Sequence, residues 1–316
     1  MTVAIWTTCP TRPRSARSRS RCPIHSALAE PTALLSSSVS DNVAASVPTW
    51  INGQPADAVP VSDRGLAYGD GLFETLRVTQ SGPVLLDLHL ERLQQGLQRL
   101  AIPHDWQCLA NEVQSYPGLQ CPGVVKWTVT RGQGGRGYSA NQVQGPTRIL
   151  SWYPLPLYPK EYATAGVSVH SCQQALAEQP VLAGLKHLNR LEQVLARQEW
   201  DDAHQEGLML DYQGNVIEGV FSNLFLVRQG QLFTPDLARC GVAGTMRRWL
   251  LEQFDRNGYC VAVGGVTFRD IQLADEWFFC NSVYGIWPVR QWEQSTWGVG
   301  EITRQAQQWV KDRWQF

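Results

Sequence analysis

The chain of 316 residues lacks the sequence features that define several protein classes. Its eight cysteines form no C-x-x-C pair and no cysteine–histidine pair at zinc-finger spacing, which predicts no metal site and the reduced, mostly buried thiols of a cytoplasmic protein. No apolar run reaches the roughly 20 residues that a membrane helix needs. The 27 basic and 28 acidic residues nearly cancel, so charge gives no reason to expect nucleic acid or an anionic membrane as a partner. These absences favour a globular protein that binds a small molecule.

Residues 1–47 differ in composition from the rest of the chain. They are rich in arginine, serine and alanine, and no acidic residue precedes Glu30. A segment with so little to pack is predicted to be disordered by itself. Two interpretations stay open: an organellar transit peptide, which is typically acid-poor, or a translation start assigned too far upstream. The segment lacks the continuous apolar core of a secretory signal.

Strand patterns and helical patterns alternate after this segment. In LFETLRV, Phe73 and Thr75 fall on one face of a predicted strand and Glu74 falls on the other. DLHLERLQQGLQRLAI has leucines at helical spacing, with Asp87 as the candidate N-cap. Strands and helices follow no strict βαβ order, which predicts an α+β fold.

The proline-rich stretch PLPLYPKEY is the best candidate for a domain boundary, near Pro159. We therefore predict two domains after the N-terminal segment. The first is an N-terminal α/β domain over residues 48–158, and the second is a C-terminal α/β domain over residues 159–316.

The stretch AGLKHLNRLEQVL contains the lysine of greatest chemical interest. Leu185, Leu188 and Leu195 recur at helical spacing, which predicts a helix with Lys186 in its first turn, off the core-facing stripe. For an arbitrary lysine, a solvated position on an amphipathic helix is the ordinary interpretation. Here the helix dipole and Arg190 would both disfavour the ammonium form. A lysine with a disfavoured charge is a better nucleophile, as Schiff-base chemistry requires.

A Schiff-base lysine usually implies pyridoxal phosphate, which needs an anion site and an acidic partner for its pyridine nitrogen. GVAGTMR opens a predicted helix, where the N–H groups of Thr245 and Met246 can hold a phosphate; an ordinary glycine-led helix start is the alternative. In NVIEGVFSNLF, Glu218 alternates with apolar neighbours and is a candidate buried carboxylate. A surface glutamate at a hairpin is the alternative.

Six motifs, in order, resemble the fold-type IV pyridoxal-phosphate enzymes: SDRGLAYGDGLFETLRV, HLERL, RGQGGRGYS, GLKHLNRLEQVLAR, VIEGVFSNLF and GVAGTMR. The resemblance covers about residues 50–289 and is strongest to the aminodeoxychorismate lyases. The E-G-x-x-x-N-L-F pattern is shared with branched-chain and D-amino-acid aminotransferases, so an aminotransferase of the same fold is the alternative function. A cofactor-free binding module that kept the fold is a further alternative.

The resemblance implies a role for each of ten residues. Lys186 holds the cofactor and acts as the catalytic base, and Glu218 pairs with the pyridine nitrogen. The remaining cofactor-binding residues are Arg92, Thr245, Met246, Ser282 and Asn223. The candidates for the substrate carboxylates are Arg131, Arg136 and Arg77, for which surface solvation is an equal alternative. Arg64 and Tyr68 are assigned to the mouth of the site or to a dimer contact.

The resemblance also implies a reaction and an assembly. The expected substrate is 4-amino-4-deoxychorismate, which is converted to 4-aminobenzoate and pyruvate in folate biosynthesis. The expected assembly is a homodimer with its sites near the subunit interface. Residue patterns alone imply neither of these.

Overall fold

The computed structural model describes residues 47–135 and 137–314, and all of them belong to one compact unit. The segment predicted to be disordered lies outside the described residues, except for Val47 at its end. No helix within these two ranges is both long and apolar enough to cross a membrane.

The first half of the chain forms an antiparallel sheet of six strands in the order β2-β1-β6-β5-β3-β4. The strands are β1 (Trp50–Ile51), β2 (Gln54–Pro55), β3 (Gly71–Thr79), β4 (Gly82–Pro83), β5 (Gly123–Thr130) and β6 (Thr147–Tyr153). The helices are α1 (Arg64–Tyr68), α2 (Leu86–Arg99) and α3 (Trp106–Ser115), and a 3-10 turn spans Pro117–Gln120. Leucines of α2 pack on one face of the sheet, together with α3 and the buried Trp127.

The alternation predicted for LFETLRV is present in β3. Glu74 and Leu76 are buried on the side of the sheet that faces α2, whereas Phe73 and Thr75 face the opposite side. The predicted helix is also present as α2, but Asp87 lies in its first turn rather than at its N-cap. Leu85, in the left-handed conformation at φ 55°, occupies the cap and turns the chain out of β4.

The second half forms a larger sheet with the order β12-β11-β10-β13-β14-β7-β8-β9, and β15 pairs with β14. Its strands are β7 (Val167–Ser171), β8 (Glu206–Leu210), β9 (Val216–Gly219), β10 (Asn223–Arg228), β11 (Gln231–Pro235), β12 (Val261–Gly264), β13 (Glu276–Asn281), β14 (Gly285–Trp292) and β15 (Ser295–Thr296). Its helices are α4 (Glu161–Thr164), α5 (Leu191–Arg197), α6 (Thr245–Arg256), α7 (Phe268–Gln272) and α8 (Glu301–Trp314).

Parallel and antiparallel pairs are mixed in this second sheet. The pairs β11/β12, β14/β7 and β7/β8 are parallel, and the other pairs are antiparallel. Because neither sheet follows a regular βαβ order, the predicted α+β class is confirmed. The proline-rich stretch connects β6 to α4, and the predicted domain boundary near Pro159 stays a prediction.

Candidate active site

A cavity of about 800 Å³ is lined by side chains from both sheets. Strands β3 and β5 contribute to one wall, and β9, β10 and the start of α6 contribute to another. Of the ten residues predicted for the site, seven line this cavity: Arg92, Lys186, Glu218, Asn223, Thr245, Met246 and Ser282. These seven residues lie up to 190 positions apart in the sequence.

Lys186 does not lie in a helix, contrary to the prediction. Helix α5 begins five residues later, and the lysine segment (residues 184–188) is non-helical, with isolated β-bridges at Gly184 and His187. The N–H of Phe73 donates to the Lys186 carbonyl at 2.9 Å, and the N–H of Gly184 donates to the Gly241 carbonyl at 2.9 Å. Because these partners take backbone groups that a helix would use internally, the segment does not form a helix.

The predicted leucine stripe is wrong for the same reason. Leu185 is 3% exposed and belongs to the core, but Leu195 is 50% exposed. The two residues lie in different local conformations, so helical spacing does not place them on one face.

The electrostatic prediction for Lys186 is correct in direction, although its cause differs. Burial lowers the pKa of the Lys186 ammonium to about 8, and Arg92 and Arg190 act in the same direction. Glu74 and Glu218 oppose this change. A position in the first turn of a helix is not the cause, because helix α5 begins five residues after Lys186. A larger fraction of the amine is thus unprotonated near neutral pH than for an exposed lysine, which favours nucleophilic and base chemistry.

Glu218 is a buried carboxylate on β9 rather than a surface residue. Its Oε2 accepts hydrogen bonds from the Val242 N–H at 2.8 Å and from the Asn223 side-chain amide at 3.4 Å. Burial raises the pKa of Glu218 to about 7, against the opposing effects of Val242, Arg190 and Lys186. Both of its hydrogen bonds within the described residues go to Oε2, which leaves Oε1 for a donor in the cavity.

The turn before α6 is built around the side chain of Asn223. This side chain donates to the Val242 carbonyl at 2.9 Å and accepts from the Gly244 N–H at 3.1 Å. A Cβ at position 244 would lie 2.0 Å from Asn223 Oδ1, so the turn requires glycine there. Gly244 offers no side-chain cap, and Thr245 begins the helix. Among the described residues no group accepts from the first N–H groups of α6, so these can bind an anion at the positive end of the helix dipole.

Arg92 is fixed beside this turn by two partners. Its Nε donates to Glu74 Oε1 at 2.8 Å, its Nη2 contacts Glu74 Oε2, and its Nη1 donates to the Ala243 carbonyl at 3.0 Å. A guanidinium has five N–H donors, so two remain for an anion in the cavity. The structure thus places a cation and the start of a helix around the same part of the cavity.

Ser282 and Arg77 connect the two sheets. The Ser282 hydroxyl donates to the Thr75 carbonyl at 2.9 Å, and Arg77 Nη1 donates to the Val283 carbonyl at 2.8 Å. Burial lowers the pKa of Arg77 to about 10. Ser282 lines the cavity, and its contact with a phosphate stays a prediction. Arg77 does not line the cavity, so the structure favours a bracing role over the predicted substrate contact.

Arg131 also lies away from the cavity lining, and its predicted contact with substrate stays a prediction. Its guanidinium donates to Asp70 at 2.8 Å and to the carbonyl groups of Leu100 and Ala101 at 2.7 and 2.8 Å. These carbonyls follow the last turn of α2, where donors are needed. Arg131 therefore secures the end of a helix. The other loop arginine of the prediction, Arg136, lies outside the described residues.

The glycine-rich loop after β5 is braced by Arg64. This arginine is 4% exposed, bonds Asp70 at 2.9 Å, and donates to the carbonyl groups of Gly137, Tyr138 and Ser139. Its role is to hold the loop, which is compatible with the predicted position near the site mouth.

Cations that the sequence interpretation did not assign to substrate also line the cavity. Lys126 lies directly opposite Thr75 in the β3/β5 pair, with Nζ 5.4 Å from the Phe73 ring centroid. Arg190, at the N-cap of α5, and Arg197, at its last position, also line the cavity. Strand alternation contained the signal for Lys126, because it shares a sheet face with Phe73 and Thr75.

The buried carboxylate of Glu206 supports the cavity wall formed by residues 219–222. Glu206 accepts from the N–H groups of Gly207 and Val220, both at 3.0 Å, and from the Ser222 hydroxyl at 2.6 Å. Burial raises the pKa of Glu206 to about 8. This residue was not predicted, since a single glutamate at the start of a strand has no distinguishing pattern in the sequence.

The donor set fits pyridoxal phosphate. A lysine amine with a lowered pKa can attach the aldehyde, a buried carboxylate oxygen is left for the pyridine N–H, and the start of α6 with Arg92 can hold the phosphate. These three functions are the ones that the cofactor requires, and all of their residues line one cavity.

Comparisons with known proteins agree with this geometry. The family model for amino-transferase class IV matches residues 71–292. An aminodeoxychorismate lyase of Vibrio harveyi is 38% identical over 264 residues, which cover 82% of this chain and 97% of the relative. The crystal structure of 4-amino-4-deoxychorismate lyase from Pseudomonas aeruginosa is 52% identical, with a TM-score of 0.82, and covers 85% of this chain and 100% of that one. A hypothetical aminotransferase from Mycobacterium tuberculosis, in a PLP-bound form, shares the fold, with a TM-score of 0.72, 19% identity, and coverage of 84% and 98%.

We expect Glu218 to make the cofactor-free protein less stable as pH rises. Its pKa is 4.5 when unperturbed and about 7 in the fold, so between these values only the folded state holds the proton. The free energy of unfolding should fall by about 3 kcal/mol over this interval through Glu218 alone. Urea denaturation at several pH values should therefore show a flatter pH dependence for Glu218→Gln than for wild type.

The control for this measurement is Glu252→Gln, on the solvent side of α6, which should follow the wild-type profile. Parallel wild-type and Glu218→Gln profiles would contradict the assigned burial of this carboxylate.

Proposed function

The chain belongs to the amino-transferase class IV family, and we propose that it is a pyridoxal-phosphate-dependent lyase acting on 4-amino-4-deoxychorismate. The main support for the proposal is that Lys186, Glu218 and the start of α6 line the same cavity. Glu218 uses Oε2 for its hydrogen bonds within the described residues, so Oε1 can accept from the cofactor. The similarity to two lyases over most of the chain supports this substrate over the amino acids of the aminotransferases.

Each residue of the site has a part in this reaction. When bound, pyridoxal phosphate supplies an electron-withdrawing ring that acidifies the C–H bond beside the substrate nitrogen. Glu218 keeps the proton of the ring nitrogen in place, because a buried carboxylate favours a paired donor. Arg92 and the first N–H groups of α6 hold the phosphate end. Lys186 would hold the cofactor, and its amine, when free, would remove the C4 proton as general base.

The reaction balances in atoms and protons. Lys186 takes the C4 proton, the bond between C3 and the ether oxygen breaks, and the ring becomes aromatic as 4-aminobenzoate. The leaving enolpyruvate gains a proton at its methylene carbon and becomes pyruvate. Together the two products contain every atom of the substrate. The reaction therefore needs neither an oxidant nor a second substrate, unlike amino-group transfer.

Lys126, Arg190 and Arg197 support a substrate with two carboxylates. All three line the cavity, whereas Arg77 and Arg131 make their hydrogen bonds elsewhere. Lys126 is the best placed of the three. Within the described residues its ammonium group makes no hydrogen bond and no ion pair, whereas Arg190 donates to the His187 carbonyl and Arg197 to the Trp200 carbonyl. We assign one substrate carboxylate to Lys126.

A homodimer is part of the proposal. Apolar side chains are exposed on two neighbouring elements, with Leu66 of α1 68% exposed and Leu191 of α5 74% exposed. The Asn189 amide donates to the Gly69 carbonyl at 3.1 Å, which ties the two elements together. Val194 of α5 also lines the cavity, so a second copy that covers this surface would lie beside the site.

The proposed location is the cytoplasm. The support is chemical: the six described cysteines are all free thiols, as expected for a reducing compartment. Fractionation of cells into cytoplasmic, membrane and secreted protein tests this part of the proposal.

The reaction itself is tested by product analysis. With added pyridoxal phosphate and 4-amino-4-deoxychorismate, wild type should release pyruvate and 4-aminobenzoate in equal amounts. Lys186→Ala should lower the rate by at least about 10²–10⁴-fold, because it removes the catalytic base. Lys160→Ala, at an exposed position, is the control and should match wild type. Amino transfer to 2-oxoglutarate without pyruvate release would instead support the aminotransferase.

The carboxylate assignment is tested by Lys126→Met, which keeps side-chain length and removes the charge. Loss of one charge-assisted hydrogen bond of about 1.5–3 kcal/mol should lower kcat/KM by roughly 10- to 100-fold, mainly through KM. Steady-state kinetics with Lys160→Met as the matched control measure this effect. An unchanged KM would show that Lys126 does not bind the substrate carboxylate and would favour Arg197 as its partner.

The dimer is tested by analytical ultracentrifugation. Wild type should sediment at twice the 35.4 kDa of one chain, and Leu66→Asp combined with Leu191→Asp should shift it to the monomer. Leu273→Asp changes a leucine that is 54% exposed at the end of α7 and should leave the mass unchanged. A double variant that stays dimeric would show that another surface forms the interface.

A further inference from the structure

His89 is a fully buried titratable side chain that the proposed reaction does not use. Its Nδ1 lies 2.6 Å from Glu74 Oε2, and its Nε2 lies 3.3 Å from the hydroxyl of Thr245, the first residue of α6. The imidazole therefore joins the carboxylate that fixes Arg92 to the residue that begins the anion-binding helix.

The hydrogen bonds identify which nitrogen of His89 can gain a proton. Arg92 and His89 outweigh the effect of burial and lower the pKa of Glu74 to about 2, so Glu74 is ionised and can only accept. Nδ1 must then carry a hydrogen that it donates to Glu74. Nε2 is the titrating atom, and it points at Thr245.

The charges around His89 keep it neutral in the cofactor-free protein. Burial lowers the pKa of His89, and Arg92 and Lys186 lower it further, against the opposing effect of Glu74. These three charged groups and the neutral Thr245 are the groups that face the imidazole from β3, α2, the lysine segment and α6. Because Glu74 already neutralises Arg92, the anion site holds little net positive charge for a phosphate dianion.

We propose that His89 takes up a proton when a dianionic phosphate group binds at the start of α6. The bound dianion adds two negative charges near Thr245, which reverses the local balance that keeps Nε2 unprotonated. This inference rests on the proposed function, since it uses the same anion site. It adds a protonated histidine to the groups that stabilise the phosphate, although His89 is not part of the cavity lining.

The proton also changes the hydrogen bond to Thr245. With neutral His89, the Thr245 hydroxyl must donate to Nε2. With protonated His89, Nε2 donates to the Thr245 oxygen, and the hydroxyl hydrogen is free for another acceptor. His89 is thus a positioning residue for the anion site.

The test uses sulfate, a dianion whose own charge does not change near neutral pH. Isothermal titration calorimetry of the full-length, cofactor-free protein in two buffers of different ionisation enthalpy gives the number of protons taken up on binding. The variant His89→Gln keeps a neutral side chain that can bond Glu74 and Thr245 but cannot gain a proton. His104→Gln, on the loop before α3, is the matched control.

At about pH 7.5, wild type and His104→Gln should take up about half to one proton more than His89→Gln on binding sulfate. Protons taken up by Lys186 cancel in this difference. Above about pH 7.5, the sulfate affinity of wild type and His104→Gln should fall by up to about tenfold per pH unit. Equal uptake in His89→Gln and wild type would overturn the inference while leaving the anion site intact. Absence of sulfate binding to wild type would instead contradict the phosphate end of the proposed function, and the inference with it.

A second measurement covers the case in which His89→Gln does not fold. Nitrogen NMR of wild type labelled at histidine should show one buried imidazole whose Nε2 changes from unprotonated to protonated on addition of sulfate. A buried imidazole that stays neutral in saturating sulfate would overturn the proposal without any variant.

Discussion

The backbone pairing of the lysine segment is the constraint on which the rest of the site depends. One end is bonded to β3 through Phe73 and Gly71, and the other end is bonded to the turn at Gly241 and Ala243. The same few residues therefore hold the first sheet, the reactive amine and the start of α6 together. Without this pairing, Lys186 would have no fixed relation to either wall of the cavity. Arg92 and Glu218 can act on the same cofactor as Lys186 only because this pairing fixes the lysine between them.

The pKa values of the two buried glutamates of the site are shifted in opposite directions. Burial raises both values, but the neighbours of the two carboxylates differ. Glu74 has a guanidinium and an imidazole in direct contact and stays ionised despite complete burial. Glu218 has mainly one backbone N–H and more distant cations, so burial raises its pKa to about 7. The end of the cavity near Arg92 is thus equipped to hold an anion, and the end near Glu218 to hold a donor. This asymmetry matches a cofactor with a phosphate at one end and a ring nitrogen at the other.

The sequence predicted the parts of the site that depend on local pattern. Strand alternation placed Glu74 and Phe73 on opposite faces correctly, and the glycine-led turn correctly began a helix at Thr245. The predicted helix at Lys186 was wrong, because long-range backbone partners outweigh local leucine spacing. Arg131 could not be placed from sequence, since its partners are carbonyls at the end of a distant helix. Residue type showed which groups can do chemistry, and tertiary contacts decided which of them face the cavity.

We propose that Lys186 is the lysine that attaches to pyridoxal phosphate. The chain has four lysines, and two of them, Lys126 and Lys186, line the cavity. Borohydride reduction of the protein with bound pyridoxal phosphate, followed by peptide mass spectrometry, identifies the attached lysine directly. We expect a stable pyridoxyl adduct on the peptide that contains Lys186 and none on the peptide that contains Lys126. An adduct on Lys126 alone, or on neither cavity lysine, would contradict it.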